Sequence, residues 1–328
     1  MELRHLQAIL AIADTGSFSL AAESIGTVQS NVSAHIARLE RELDVVLIDR
    51  ATGRLSEEGE VVVNRARRMM NELDAMNSDI VALRREVIGT VRTGMIGTTG
   101  RWLLPQLLDR LRERHPHIYL SVAEGTNTTL ELQLFSGRLD LALVTLPVAS
   151  DDLTTTPLFQ EDIVLVLQAD HPLAKEWTTR RLDMGEDDDG GLFGTQYEPM
   201  NLEDLSQIAL LLPAPGTALR HEIDAVIKPR GIVLKPSIEL DGVRMIASLT
   251  FDGYGPAILP ATAVPGHLRN QFIRIPLQDY PRRGVGVALR SHSMPSAAAR
   301  AVVEILHDTV SDPLTMPEGI HPTGRSKS

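Results

Sequence analysis

The sequence predicts a two-part protein, with a helical N-terminal region followed by an α/β region made of two lobes. Three observations support this fold class. Two short amphipathic helices meet at a tight turn between Phe18 and Glu40, one long helix carries a heptad pattern from Glu57 to Val87, and strands alternate with helices from Gly89 onward. That alternation implies parallel strands with helices on the faces of the sheet.

Composition narrows the functional classes. The chain has 328 residues, enough for two or three domains that each bury a core. No apolar run reaches the roughly 18 residues of a membrane-spanning helix, and the first residues lack an export signal. We therefore expect a cytoplasmic protein with no membrane partner. The sequence contains no cysteine, which excludes disulfides, a thiolate nucleophile, cysteine-ligated zinc and thiol-based redox sensing.

The stretch Phe18–Glu40 has the pattern of a helix-turn-helix. Ser17 is the expected N-cap of its first helix, with Phe18, Ala21, Ala22 and Ile25 on the apolar face and Gly26 at the end. Thr27 is the expected cap of the second helix, whose apolar positions are Val32, Ile36 and Leu39. The remaining positions carry short hydrogen-bonding side chains, which suit base edges in a major groove: Gln29, Ser30, Asn31, Ser33 and His35. The alternative is an ordinary helical hairpin with a solvated polar face.

Charge weighs against a broadly cationic DNA-binding surface. The net charge is −11, and residues 1–65 hold six basic and ten acidic side chains. Binding then requires a few arginines that are focused on phosphates, since only contacting charges release counterions. Arg50 and Arg54 flank a predicted hairpin turn at Thr52-Gly53, which follows the strand-like residues Val45–Ile48, and they suit the phosphate contacts of a wing. Solvated loop charges are the alternative.

The long predicted helix carries an a/d stripe for more than three heptads. A helix of this length, about 38 Å at 1.5 Å per residue, exceeds what a small domain can cover, so a second copy of the chain is the expected partner. Packing within one chain is the alternative. The stripe residues assigned to dimerisation are Val62, Ala66, Met69, Leu73, Met76, Ile80 and Leu83.

The remaining sequence predicts two lobes and a tail. A β-α-β-α-β series starts at Gly89, and Asp162–Ala174 leads into the second lobe. The strands between Phe272 and Leu289 are expected to return to the first lobe. The acidic residues 186–189 do not match a calcium-loop spacing and predict a solvated loop within 183–201, so no metal site is expected. The predicted domains are 1–58, 59–89 and 90–312, with lobe 1 at about 90–162 and 268–312, lobe 2 at about 163–267, and a flexible tail at 313–328.

This order of parts resembles the LysR-type transcriptional regulators of bacteria over nearly the whole chain. The most specific residues are GSFSLAAESIGTVQSNVSAHIARLERELDVVLIDR, DLALV at 140–144, HPLA at 171–174 and GYGPAILP at 253–260. The resemblance implies a winged helix-turn-helix, a dimerising linker helix and a two-lobed effector domain similar to periplasmic solute-binding proteins. It also implies tetramers on interrupted palindromes in promoter DNA, with RNA polymerase as a candidate partner.

Carried onto this sequence, the resemblance assigns DNA contacts to the second helix and the wing. Gln29, Ser30 and Ser33 fall on the helix that meets DNA, and Arg50 and Arg54 fall in the wing. The complete predicted DNA-binding set also includes Asn31, His35 and Arg38. Three positions depart from the family pattern: Val28 replaces a usual serine, Ala34 a common arginine, and Pro256 interrupts a glycine-aliphatic pattern.

A two-lobed domain binds its ligand between the lobes, at the carboxyl ends of parallel strands. Hydroxyls and free N–H groups at a helix N-terminus favour an anion there. We therefore expect a small anionic metabolite and no cofactor, although each residue taken singly also suits a helix cap or a turn. The predicted effector residues are Thr98, Thr99, Gly100, Thr126, Asn127 and Thr145 in the first lobe, and Pro215, Gly216, Thr217 and Tyr254 in the second.

Other functional classes receive less support. The sequence lacks the GxxxxGK, HExxH and GxSxG motifs, so no catalytic residue is assigned. Residues 91–290 alone could form a transported-solute binding protein, but the attached helix-turn-helix opposes that reading. A DNA-binding architectural protein whose lobes bind no ligand remains open.

Overall fold

The computed structural model describes residues 1–328 apart from 51, 84–85, 179–196, 265–267, 269–270, 313–315 and 324–328. The predicted acidic loop lies outside the described residues from 183 to 196. Within the described ranges the chain contains a three-helix N-terminal domain, a long connecting helix and two lobes that each surround one sheet. The predicted fold class is confirmed.

The N-terminal domain consists of α1 (Leu3–Thr15), α2 (Phe18–Ser24) and α3 (Gln29–Leu43). The predicted apolar faces of α2 and α3 meet α1 in one core, which includes Ile9, Ile12, Ala21, Val32, Ile36 and Leu39. Gly26 adopts a positive φ of 67° just after α2, a conformation that glycine adopts without the steric cost of a Cβ atom. The sharp turn between α2 and α3 follows from this residue.

Three local predictions about this domain need correction. Val28, and not Thr27, is the N-cap of α3, while the Thr27 hydroxyl accepts a 3.0 Å hydrogen bond from the Asn31 amide. Ile25 is 40% exposed because α2 ends at Ser24 and leaves Ile25 outside the packed turn. The predicted hairpin of the wing is reduced to a single bridge between Ile48 and Leu55.

The connecting helix α4 runs from Glu57 to Ala82 and ends five residues before the predicted Val87. Ser56 caps it by accepting a 2.9 Å hydrogen bond from the Gly59 N–H. Three glutamates in the first turn interact favourably with the positive end of the helix dipole and so stabilise the helix. With 26 residues, α4 is about 39 Å long at 1.5 Å per residue.

The first lobe is a six-stranded mixed sheet in the order β11-β4-β10-β3-β1-β2. Its predicted parallel series is confirmed, since β1 (Gly89–Met95) pairs in parallel with both β2 (Ile118–Glu124) and β3 (Leu141–Leu146). Helices α5 (Gly97–Arg114) and α6 (Asn127–Phe135) connect these strands. The antiparallel strands are β4 (Leu153–Glu161), β10 (Arg283–Arg290) and β11 (Ile320–Pro322), and α10 (Ala297–Val310) packs on the same core.

The second lobe is a five-stranded sheet in the order β7-β6-β8-β5-β9. Its strands are β5 (Ile163–Gln168), β6 (Ala209–Pro213), β7 (Lys235–Leu240), β8 (Ala257–Pro260) and β9 (Phe272–Pro276). Its helices are α7 (Pro172–Thr178), α8 (Ala218–Ile227) and α9 (Val243–Phe251). The prediction that Phe272 begins the return to lobe 1 was wrong, because β9 pairs with β5 in the second sheet. The chain returns with β10.

The C-terminal residues are a structural element rather than a loose tail. Strand β11 pairs antiparallel with β4, and Ile320 is only 5% exposed in the lobe 1 core. The Gly319 carbonyl accepts a 2.8 Å hydrogen bond from the N–H of Asp162, the residue that joins β4 of the first lobe to the second lobe. The prediction of a flexible 313–328 segment was therefore wrong for residues 316–323. Backbone hydrogen bonds to β4, which would otherwise be an unpaired edge strand, hold this part of the chain in place. Residues 313–315 and 324–328 lie outside the described residues.

A buried ion pair lies where the chain crosses between lobes. Two nitrogens of Arg283 donate to Glu161 Oε1 over 2.9 and 2.5 Å, and the Thr262 hydroxyl donates to Glu161 Oε2 over 2.8 Å. Glu161 belongs to the first sheet, whereas Thr262 follows β8 of the second. Burial by itself lowers the pKa of Arg283, but the carboxylates of Glu161 and Glu222 outweigh burial, so this pKa is raised.

Candidate DNA-binding interface and inter-lobe site

The exposed face of α3 carries most of the predicted DNA contacts. Val32, Ile36 and Leu39 are at most 2% exposed, and their burial turns the opposite side of the helix to solvent. On that side, the side chains of Gln29, Ser30, Asn31 and Ser33 are all exposed. Their contact with base edges remains a prediction from chemistry and position.

Two of these side chains are held by short local hydrogen bonds. Gln29 Oε1 accepts a 3.1 Å hydrogen bond from the Ser19 hydroxyl at the start of α2, and Asn31 donates to Thr27. Each bond restricts an amide that would otherwise rotate freely. The NH2 group of Gln29 and the side-chain oxygen of Asn31 stay available for hydrogen bonds to DNA. Fixing a side chain before association reduces the entropy lost on binding.

His35 and Arg38 face α1 more than the other members of the predicted set. The His35 ring centroid lies 5.4 Å from that of the fully buried His5, and Arg38 pairs with Glu42 over 3.4 Å and with Glu2 over 3.9 Å. Burial lowers the pKa of His5. His35 and Arg38 therefore already have partners inside the domain, and a DNA role requires them to change or share those contacts.

Glu40 joins the recognition helix α3 to the wing, a role that sequence reasoning missed. Its Oε1 accepts hydrogen bonds from the N–H groups of Leu47 at 2.9 Å and Ile48 at 3.4 Å, and its Oε2 accepts from Arg50 over 3.4 Å. A carboxylate that accepts several N–H groups is a strong structural bond. A lone glutamate in the last turn of a helix gives no sequence signal for this function.

The wing exposes both of its predicted arginines. The Arg50 side chain is 74% exposed, and Arg54 is also exposed. Gly53 has a φ of 71° and its N–H donates to the Asp49 carbonyl over 2.7 Å, which closes the turn between the two arginines. The turn therefore presents two exposed guanidinium groups within five residues, and arginine is a residue type that commonly contacts DNA phosphates.

The predicted dimerisation stripe on α4 is mostly open to solvent in a single chain. Met69, Met76, Ile80 and Leu83 are 45%, 51%, 50% and 85% exposed, while Val62 and Leu73 are half-buried. The prediction for Ala66 was wrong. Its own chain already buries it to 2% exposure, so it has almost no surface left to contact a second helix. For the other stripe residues, dimerisation stays a prediction.

The first-lobe effector residues lie at the carboxyl ends of parallel strands. Thr98, Thr99 and Gly100 form the first turn of α5, directly after β1, and Ile96 is the apolar N-cap of that helix. An isoleucine supplies no capping acceptor, so the first helical N–H groups depend on other partners. The Thr99 hydroxyl is fully buried and, among the described residues, has no hydrogen-bond partner.

The neighbouring predicted residues are engaged with one another. The Asn127 side chain donates to the Thr145 carbonyl over 2.7 Å and accepts from the Thr145 N–H over 2.9 Å, which ties the start of α6 to β3. Thr126 is the N-cap of α6 in a capping box with Thr129. Asn127, Thr145 and Thr126 therefore make hydrogen bonds within lobe 1 that fix its edge, and a ligand contact would have to be added to these bonds.

The second-lobe residues of the predicted set lie on loops and helix ends. The Thr217 hydroxyl donates to the Ala214 carbonyl over 2.8 Å, Pro215 and Gly216 are exposed, and Tyr254 is 64% exposed. Sequence reasoning missed the pair that crosses between the lobes. Arg244, in the first turn of α9, forms an ion pair with Glu124 at the end of β2. Both groups contact the space above Gly97, where an added Cβ would lie 2.5 Å from Glu124 Oε1 and 3.0 Å from Arg244 Cδ.

Two general properties complete the description of the site. Within the described ranges, no helix is both long and apolar enough to cross a membrane. The same residues contain no group of three or more His, Asp or Glu side chains arranged to hold a metal ion.

Comparisons with known proteins bear on both halves of the chain. The family model for the bacterial regulatory helix-turn-helix protein, lysR family, matches residues 3–60, and that for the LysR substrate binding domain matches 84–185 and 192–311. A probable hydrogen peroxide-inducible genes activator from Mycobacterium leprae is 29% identical over 317 residues, covering 93% of each chain.

Solved structures agree in fold. A full-length OxyR variant from Pseudomonas aeruginosa has a TM-score of 0.72 at 24% identity and covers 99% of each chain. Full-length CbnR in complex with its target DNA has a TM-score of 0.63 at 19% identity, covering 94% of this chain and 100% of that one. The exposed recognition helix, the arginine-bearing wing, the two lobes and both family matches lead to one conclusion: the chain belongs to the LysR family of bacterial DNA-binding transcriptional regulators.

Proposed function

We propose that a small anionic ligand, bound between the two lobes at the N-terminus of α5, controls the activity of this regulator. The observation that carries the proposal is the Thr99 hydroxyl, which is fully buried in the first turn of α5 without a hydrogen-bond partner in the described part of the chain. Buried polar groups are nearly always satisfied, and an unsatisfied one calls for a water, an ion or a ligand.

The chemistry of the helix end favours a negative charge. The 18-residue α5 directs the positive end of its dipole and its first N–H groups toward the edge of the sheet. Its apolar N-cap leaves those groups without side-chain competition. A carboxylate is the simplest group that accepts from backbone N–H groups and a hydroxyl together.

The Arg244–Glu124 pair supplies a route from ligand binding to lobe movement. Both side chains are about half exposed, so the ion pair itself contributes little stability. An anion near Gly97 would compete with Glu124 for the Arg244 guanidinium, and lobe 2 would shift with Arg244. A ligand that binds one lobe arrangement better than the other changes the populations of the two arrangements.

The absence of cysteine separates this regulator from thiol-based sensing. The Mycobacterium leprae relative is named for hydrogen peroxide-inducible genes. Peroxide sensing through cysteine requires a thiolate, and this chain has none. We therefore propose that its signal is a bound ligand and not oxidation of a thiol.

Assembly connects the ligand to DNA. The exposed stripe on α4 would pair with a second copy, and two such dimers would form a tetramer on an interrupted palindrome. Movement of the lobes would then change the spacing of the DNA-binding domains and the bending of promoter DNA, with consequences for RNA polymerase. A footprint on DNA upstream of the gene, repeated over a salt series, tests this arrangement; protection that ignores sequence would contradict it.

The ligand site is tested with a library of small carboxylates and a matched pair of threonine variants. We expect at least one acid to raise the melting temperature of the full-length protein, because binding to the folded state stabilises it. Thr99→Val, which keeps the shape and removes the hydroxyl, should lose that rise. Thr309→Val is the control, since the Thr309 hydroxyl is buried in α10 and donates to the Ile305 carbonyl over 2.7 Å.

Two outcomes would oppose the proposal. An equal response in Thr99→Val and wild type would remove Thr99 from the site. If no acid stabilises the protein while its operator binding is intact, the protein is better described as a ligand-independent architectural regulator.

A further inference from the structure

A cavity lies away from the inter-lobe residues, where α1, α4 and the first lobe meet. Its volume is about 500 Å³, within the range of small-molecule sites. Three arginines line it, namely Arg67 from α4 and Arg92 and Arg138 from lobe 1. Two carboxylates, Asp14 and Asp74, are also in the lining.

Arg67 is the least satisfied of the three guanidinium groups. Its side chain is only 11% exposed, one terminal nitrogen pairs with Asp14, and the other, Nη1, is buried with no hydrogen-bond partner among the described residues. Burial lowers the pKa of Arg67; Asp14 opposes this effect, and the nearby charges of Arg138 and Arg92 add to it. A buried cationic nitrogen without an acceptor is costly, so an acceptor in the cavity would be favoured.

The other two arginines have spare donors. Arg92 Nη1 lies 3.6 Å from an Asp140 carboxylate oxygen and 3.4 Å from the Asn71 side-chain oxygen, both long contacts. Arg138 is exposed and, in the described part of the chain, has no carboxylate within ion-pair distance. The backbone just before Arg138 is held against α4, because the Gly137 carbonyl accepts a 2.8 Å hydrogen bond from Asn71 of α4.

The carboxylates do not use up this donor capacity. Asp14 is 58% exposed and serves Arg67, and Asp74 is exposed and forms no ion pair with the described residues. Neither reaches Arg67 Nη1 within hydrogen-bond distance. The guanidinium groups of Arg92 and Arg138 therefore repel that of Arg67, and the space between them is large enough for an anion.

We propose that this junction cavity binds a small phosphate-class dianion, with Arg67, Arg92 and Arg138 donating to its oxygens. Guanidinium groups match phosphate oxygens in geometry and charge, and several of them around one anion are typical of phosphate recognition. The cavity exceeds the size of a bare phosphate, and Leu10 and Met70 give it an apolar wall, so a phosphate carried by a small organic group also fits.

Such a ligand would connect the DNA-binding domain to the effector domain. Asp14 and Leu10 belong to α1, Arg67 belongs to α4, and Arg92 and Arg138 belong to lobe 1. One anion would thus hold α4 to lobe 1, and the Arg67–Asp14 ion pair extends this connection to α1. The inference does not depend on the inter-lobe ligand, because no residue of the two sites is shared.

Calorimetry on the full-length protein tests the site with inorganic phosphate and with glycerol 3-phosphate. We expect saturable binding in wild type and binding at least about tenfold weaker in Arg138→Gln, because the variant loses a hydrogen bond between two charged groups and tenfold in Kd corresponds to only about 1.4 kcal/mol. Arg138→Gln breaks no hydrogen bond within the described residues, so the fold should persist. Tighter binding of glycerol 3-phosphate would assign the apolar wall to the organic group, and equal binding would assign the site to the free anion.

Two further variants separate the site from general charge effects. Arg112→Gln removes the same charge from the exposed end of α5, where the Arg112 side chain is 77% exposed, and should bind like wild type. Arg67→Lys keeps the charge but removes Nη1, and should bind more weakly. The proposal is overturned if wild type binds neither compound, or if Arg138→Gln and wild type bind equally.

Discussion

Removing the Glu161 carboxylate should destabilise the protein strongly, because it would leave Arg283 buried without its main partner. Glu161 is fully buried and the Arg283 side chain is 9% exposed. Breaking a buried ion pair costs about 3–5 kcal/mol. We expect Glu161→Leu to fall near the lower end, because Glu222 is close enough to attract Arg283 and to replace part of the lost interaction.

A double-mutant cycle separates the buried charge from the loss of packing. Glu161→Leu and Arg283→Met are made singly and together, and each free energy of unfolding is measured by urea denaturation. The two tryptophans report on both lobes, since Trp102 packs on Phe159 in lobe 1 and Trp177 lies in the core of lobe 2. We expect the double variant to lose less stability than the sum of the single variants, because it leaves no unpaired charge.

The control removes a carboxylate from an exposed pair. Asp109 and Arg112 are 3.5 Å apart and more than 70% exposed, so Asp109→Asn should be indistinguishable from wild type. Strictly additive losses in the double variant, or a loss in Glu161→Leu no larger than in Asp109→Asn, would refute the assigned role of the ion pair.

Three more predictions concern dimerisation, pH and the C-terminal strand. Ile80→Glu places a charge on the exposed α4 stripe and should yield monomers in analytical ultracentrifugation. Leu132→Glu, at a 62% exposed site on α6, should leave the dimer intact. A dimeric Ile80→Glu variant would contradict the stripe assignment. Because the pKa of buried His5 is lowered, stability is complete above its unfolded pKa of about 6.5 and falls as pH drops below that value. The melting temperature of wild type should therefore drop more between pH 7 and 5 than that of His5→Gln, and parallel curves would exclude His5 as the cause. Ile320→Ala should lower the free energy of unfolding, measured by urea denaturation, by about 2–5 kcal/mol, because it leaves a cavity at a buried site. A change below experimental error would mean that β11 contributes nothing to the lobe 1 core.

Periodicity predicted most of the elements correctly. The apolar spacing placed the buried faces of α2 and α3, and the alternation from Gly89 predicted the parallel series β1, β2 and β3. These patterns are readable because burial of one face is a local property, repeated every turn or every second residue. The cysteine count and the net charge also limited the chemistry without any coordinates.

Boundaries and pairings were less predictable. Val28 rather than Thr27 caps α3, and β9 joins the second sheet although it is adjacent in sequence to a strand of the first. The C-terminal residues were expected to be loose, yet β11 completes the edge of the first sheet. The two strand errors concern segments whose conformation depends on a distant partner, since a strand only a few residues long has little structure without a neighbour.

The candidate sites divide in the same way. The sequence by itself determined the family, the polar face of the recognition helix, the wing arginines and the exposed stripe on α4, because each of these is a run of nearby residues with one repeating chemistry. Only the tertiary structure decided that Glu40 holds the wing, that Arg244 meets Glu124 across the lobes, and that Arg67 shares a cavity with Arg92 and Arg138. These residues are far apart in the chain, and a single charged side chain has no periodic signal. Its partner is chosen by packing, which removes water and makes an unpaired charge costly only after the chain has folded.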